Sequence, residues 1–176
     1  KIIIILILTF VSILNQFSFA QCNVSTDSLD NGTKYFLCAN EKIYDNDDLE
    51  NGILVAYVQL VVFQNSVNKN LLQFAMLVDV GKSGSKQMVV PKQIKIYFTD
   101  DTTIELTAET LESPRMEKAA TIDVYMQKST FRLNSGYYTT LQNKSISKIV
   151  ISDNRTSNQL LCTPYKDILK EQANCI

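Results

Sequence analysis

The chain has 176 residues, 45% hydrophobic and 20% charged, with 17 Lys and Arg against 18 Asp and Glu. This near balance removes the electrostatic ground for binding nucleic acid or an anionic membrane surface. There is no histidine, which excludes His-containing metal centres and any nucleophile paired with an imidazole base, but leaves carboxylate and lysine chemistry open.

Lys1 precedes the apolar run IIIILILTFVSILNQFSFA. A positive start, a long apolar stretch and a small-residue end predict a secretory signal peptide over 1–20, cut after Ala20 in Ser18-Phe19-Ala20. The run also approaches the length of a membrane anchor. Cys22 would be the acylation site of a bacterial lipoprotein, although Gln21 stands where such processing prefers a small residue. Cleavage leaves a single domain, 21–176, of 156 residues, enough for a sizeable core. Its formal charge moves from −1 to −2 as Lys1 leaves.

All four cysteines, Cys22, Cys38, Cys162 and Cys175, follow that cut. An even count in an exported chain predicts two disulfides, with free buried thiols as the alternative. A helix from Pro164 to Asn174 would be about 15 Å long, which disfavours a Cys162–Cys175 bond. Of the remaining pairings, Cys22–Cys175 with Cys38–Cys162 is preferred.

In chain order, Lys34–Cys38 reads as a short strand and Asp45–Gly52 as an acidic turn. Ile53–Phe63, ILVAYVQLVVF, is apolar on both faces and predicts a central strand. Leu71–Val80 alternates, with Leu72, Phe74, Met76, Val78 and Val80 on one face, and completes a hairpin. Gly81–Lys86 is a loop. Ile94–Leu106 predicts a second hairpin around Thr99-Asp100-Asp101, which would put Asp101 in the left-handed region. Leu111–Lys118 contains Pro114 and reads as a loop. Thr121–Gln127 and Thr130–Leu133 predict two strands, the first with Ile122, Val124 and Met126 set against Asp123, Tyr125 and Gln127. Tyr137–Gln142 predicts one helical turn, and Ser147–Ser152 a strand with Ile149 and Ile151 inward. Thr163-Pro164 opens a C-terminal helix that buries Ile168 and Leu169.

Catalytic and ligand motifs are short of their partners. Ser83-Gly84-Ser85-Lys86, Ser145-Ile146-Ser147-Lys148 and Ser152-Asp153-Asn154 match fragments of the penicillin-recognising serine enzymes, but the K-T-G element is missing after Ser152. Gly81-Lys82-Ser83 lacks the upstream glycine of a phosphate-binding loop. Asp45, Asp47, Asp48 and Glu50 depart from the EF-hand pattern at Leu49 and Glu50 and read as a solvated turn. Asn23, Asn31, Asn143 and Asn154 each begin an N-x-S/T sequon. Tyr137-Tyr138 are candidate binding-surface residues for a sugar or peptide, against the alternative that they pack on the sheet.

The Ile/Leu-rich leader, the Ile94–Leu106 hairpin with its Thr-Asp turn, the Ile146–Ser152 strand and the short helix before Cys175-Ile176 resemble small exported proteins of unknown function from Bacteroidota. The resemblance implies a β-rich exported domain and carries no catalytic residues with it. The expectation is a mainly β, antiparallel two-sheet sandwich-like domain with a C-terminal α-helix. Its expected role is a secreted or periplasmic, non-enzymatic binding or interaction domain, without cofactor or metal, for a protein, peptide or glycan partner. No nucleic-acid partner and no membrane span after cleavage are expected. The alternatives are a carboxylate-dependent hydrolase and a carrier of a small apolar ligand.

Overall fold

The computed structural model describes residues 24–29, 32–45, 53–64, 70–79, 90–119, 122–153 and 156–176. The leader with Ala20, Cys22, the 46–52 turn, the 81–86 loop and the sequons at Asn23, Asn31 and Asn154 lie outside them. Among the described residues the strands are β1 (Val24–Ser28), β2 (Lys34–Cys38), β3 (Glu41–Asp45), β4 (Ile53–Phe63), β5 (Asn70–Asp79), β6 (Gln93–Phe98), β7 (Thr103–Leu111), β8 (Arg115–Ala119), β9 (Ile122–Leu133), β10 (Ile146–Ser152) and β11 (Ser157–Leu161). Helix α1 (Ser135–Asn143) precedes β10, and a 3-10 turn (Thr163–Tyr165) and α2 (Ile168–Asn174) close the chain. No described helix is long and apolar enough to cross a membrane.

The β4–β5 hairpin lies near the middle of the sheet, and the reason is its side chains. In β5 Leu72, Phe74, Met76 and Val78 are all at most 3% exposed, which is the alternation expected of a strand with one face on a core. In β4 neighbours on opposite faces, such as Val55 and Ala56 or Leu60 and Val61, are both buried. Ala56, Leu60, Leu72, Phe74, Met76 and Val78 join Ile94, Ile96, Phe98, Ile149, Ile151 and Leu160 in one hydrophobic core.

Every pairing is antiparallel, in the order β1-β2-β4-β5-β9-β7-β6-β10-β11, with β3 also on β4 and β8 also on β9. The strands therefore form one open sheet where two were expected. Strand β7 makes it continuous. Its first half, Thr103–Thr107, pairs with β6, and its second half, from Ala108 to Leu111, pairs with β9 through a register shift between Ala108 and Thr110. A bulge of this kind bends a strand, so β7 serves both regions without ending.

The β6–β7 turn has the expected three residues. Phe98 N–H donates to Thr102 O at 2.9 Å, and Asp101 has φ 65°. Bonds from Lys144 and then Thr102 hold the Asp100 carboxyl down at about 2. Asp101 is exposed and pays a steric penalty for its backbone. Asp101→Gly is expected to raise stability by up to about 1 kcal/mol and Asp101→Val to lower it by about 1–2 kcal/mol. Paired thermal melts check this; a Val variant as stable as wild type would mean the turn relaxes to another form.

Several elements differ from expectation. Arg115–Ala119 is a strand, not a loop, because it hairpins onto Ile122–Met126. The two strands expected over 121–133 are one, β9. Val124 is buried as expected, but beyond it the inward set changes: Gln127, Ser129, Phe131 and Leu133 are fully buried, whereas Met126 is half-buried. Helix α1 is two turns long, with the Asn134 side chain accepting from Tyr137 N–H at 2.8 Å. The C-terminal helix is broken at Lys166, whose carbonyl accepts from Ile146 N–H at 2.8 Å.

Two glutamines fill gaps in the sheet. On one edge of β4, β2 pairs with Val61–Phe63 and β3 with the stretch from Val55 to Val58. At the gap, Gln172 of α2 accepts from Leu60 N–H at 3.0 Å and donates to Ala39 O at 3.0 Å and Val58 O at 3.3 Å. On one edge of β9, β7 gives way to β8, and Gln127 Nε2 donates to Glu112 O at 2.9 Å. Gln127 Oε1 and Ser129 Oγ are buried without a hydrogen-bond partner among the described residues.

Candidate binding cleft

Alternation along β6 sends Ile94, Ile96 and Phe98 into the core and Gln93, Lys95 and Tyr97 to the opposite face. The same logic turns Glu105 and Thr107 outward from β7, Val150 and Ser152 from β10, and Ser157 from β11. Register then assembles them. Gln93 lies opposite Thr107 on one side and Ser152 on the other, and Lys95 lies between Glu105 and Val150. Ser152 in turn faces Ser157. These side chains line a shallow cleft of about 250 Å³.

The electrostatics of the cleft are balanced. Among its described residues the two charged groups, Lys95 and Glu105, form an ion pair across adjacent strands, and that hydrogen bond raises the Lys95 pKa. The remaining polar lining is one amide and three hydroxyls, around the aliphatic Val150. At one end of the face the ammonium groups of Lys95 and Lys148 lie 5.6 and 4.5 Å from the centre of the Tyr97 ring. Lys148 also bonds Gln159 Oε1 at 3.3 Å.

Known protein families, curated proteins and solved structures contain no match to this chain. The reading of the cleft therefore rests on its own chemistry.

The residues singled out from sequence fall elsewhere. Tyr137 and Tyr138 are half-buried and pack against the core, the alternative weighed for them. The Tyr138 hydroxyl donates to Ala173 O at 3.0 Å, which ties α1 to α2. Of the serine-lysine motifs, Ser145 donates to the Asp167 carboxylate while Lys148 is engaged at Tyr97, so the two side chains have separate partners. Ser152 of the S-D-N motif lines the cleft. Among the described residues no group of three or more Cys, Asp and Glu side chains could hold a metal ion. Sequence reading missed the cleft because outward polar residues on a half-buried strand are ordinary. The informative fact is that β10 pairs with β6, and that pairing has no local signature.

Cys38 and Cys162 are free thiols, not the bridged pair preferred from sequence. Cys38 is 3% exposed and its thiol approaches Gln172 O at 3.5 Å; Cys162 is fully buried. Burial pushes their pKa values up to about 11 and about 12. An unfolded thiol ionises near 8.5. The contribution of these groups is thus complete below about pH 8.5 and is lost as pH rises towards 11–12, because only the unfolded state releases its protons there. Chemical denaturation across this range is expected to give a shallower alkaline loss for Cys38→Ala/Cys162→Ala than for wild type. Identical slopes would show that both thiols titrate normally when folded. Neither thiol is expected to take up iodoacetamide without denaturant.

Proposed function

We propose that this protein is an exported, non-enzymatic binding domain that holds its ligand in the cleft formed by β7, β6, β10 and β11. The observation that carries the reading is the lining itself: a neutralised Lys–Glu pair, an amide and hydroxyls gathered around an aliphatic side chain. Such a set can orient a small polar ligand by hydrogen bonds. Glycoside hydrolysis in its usual form needs two carboxyl groups across the scissile bond, roughly 5–9.5 Å apart, and among the described residues Glu105 is the single carboxylate in this lining. An apolar cargo would need room in the core, where Phe74, Phe98 and Phe131 are at most 1% exposed. A two-sheet sandwich is not needed by this reading; the single open sheet supplies the cleft.

Titration of isotope-labelled protein with panels of neutral oligosaccharides and polar peptides tests the proposal. Saturable amide shifts at Lys95, Thr107 and Val150, with the ligand recovered unchanged, are expected. Conversion of a ligand, abolished in Glu105→Gln, would overturn the non-enzymatic reading.

Export belongs to the same proposal and is supported by the leader-like run and by the cysteines. With Cys38 and Cys162 as buried thiols, Cys22 and Cys175 remain for a single disulfide. The observed register favours it: Val24, two residues after Cys22, lies opposite Cys38, and Cys38 and the Cys175 N–H both bond Gln172 O. The intact mass of the exported, denatured and thiol-labelled protein decides it. Two labels before reduction and four after, on a chain starting at Gln21, are expected. An acylated Cys22 or a retained leader would replace this reading with a membrane-anchored one.

A further inference from the structure

We infer that the ligand of the cleft is a neutral carbohydrate, an inference that rests on the binding-domain reading above and names its ligand class. Charge gives the first argument. Lys95 and Glu105 compensate each other, so an anion would have to displace Glu105 and a cation would face Lys95. A ligand without net charge meets neither opposition.

Hydrogen-bonding character gives the second. Gln93, Thr107, Ser152 and Ser157 can each donate and accept, while Lys95 only donates and Glu105 only accepts. A sugar hydroxyl is itself both donor and acceptor. Adjacent hydroxyls on one ring can therefore satisfy Lys95 and Glu105 together, through charge-assisted bonds. An apolar ligand would leave these polar groups desolvated and unpaired. Val150 offers an aliphatic contact for the C–H face of the ring.

Size gives the third. At about 250 Å³ the cleft falls below the range of roughly 300–1,000 Å³ typical of drug-sized ligands. It suits one sugar unit, with any further units running out over its open rim. An extended peptide would find its main-chain partners along a strand edge such as β11, not across the strand faces that form this floor.

The probes are methyl glycosides of hexoses and N-acetylhexosamines and the corresponding disaccharides, titrated into the labelled protein. A saturable set of shifts confined to β6, β7, β10 and β11 is expected from at least one of them. Glu105→Gln and Gln93→Ala should each weaken that binding about tenfold or more, and Thr110→Ala, outside the lining, should leave it unchanged. Matching thermal melts for the variants separate lost contacts from lost fold. Shifts in the cleft from polar peptides, with every saccharide silent, would overturn the ligand class and leave the binding reading intact. Silence from both panels would overturn both. Saccharide shifts centred on α1, at Tyr137 and Tyr138, would overturn the location.

Discussion

Replacing Gln172 with alanine is expected to destabilise the protein by about 3–5 kcal/mol. One side chain from α2 serves three backbone groups at the place where β2 leaves β4 and β3 joins it. Among the described residues no strand residue is registered opposite the Leu60 N–H on that edge, while Val58 stands opposite Glu41 of β3 and its carbonyl accepts from the Gln172 amide. Both bonds are buried, so water cannot replace the amide without opening the contact between helix and sheet. Each orphaned buried group costs about 1–3 kcal/mol, and the helix also loses part of its docking contact. Against a total stability of roughly 5–15 kcal/mol this is a large fraction. Gln172→Met separates the two contributions, because it keeps most of the volume and removes the hydrogen bonds. Urea unfolding should place both variants well below wild type with an unchanged m-value, methionine recovering the smaller share. A methionine variant close to wild type would show that packing, not the amide, holds α2.

The elements legible in sequence were those whose own side chains decide them. The β4–β5 hairpin follows from apolar patterning, and the β6–β7 turn from parity: Ile94, Ile96 and Phe98 can share a core with Ile104 and Leu106 only across an odd-numbered loop, which sends Asp101 to positive φ. Strands β1, β3, β8 and β11 are defined instead by what they pair with. Val24–Ser28 is mostly exposed and reads VSTDS, and Arg115–Ala119 reads RMEKA, so neither carries a strand pattern of its own. Likewise the polarity of Gln127 points outward in the alternating pattern, yet it is fully buried, because a carbonyl at Glu112 is there to receive its amide. The single sheet was hidden in one register shift within β7. The cleft was hidden more deeply, since Lys95 and Val150 meet only through a pairing between strands some fifty residues apart.

Phe74→Ala is expected to cost about 3–5 kcal/mol, the usual range for deleting a buried aromatic ring. The residue is fully buried on β5, between Val58 of β4 and Ser129 of β9, in the most internal part of the sheet. Phe63 lies in the other strand of the same hairpin and looks equivalent in sequence. It is half-buried, however, and its ring meets that of Tyr35 at a tilt near the sheet margin, so Phe63→Ala should cost only about 1–2 kcal/mol. Urea unfolding of the two variants checks the contrast, and equal losses would place the core elsewhere. The neighbourhood of Phe74 adds a second test. Its cross-strand neighbour Ser129 carries a buried hydroxyl with no hydrogen-bond partner among the described residues, so the cavity left by the ring would open beside a polar group that a water molecule can satisfy. That water should offset part of the loss. In a Ser129→Ala background the same cavity is lined by apolar atoms at that point, and Phe74→Ala should cost about 0.5–1 kcal/mol more than it does alone. Strict additivity would mean that the hydroxyl does not border the space the ring leaves.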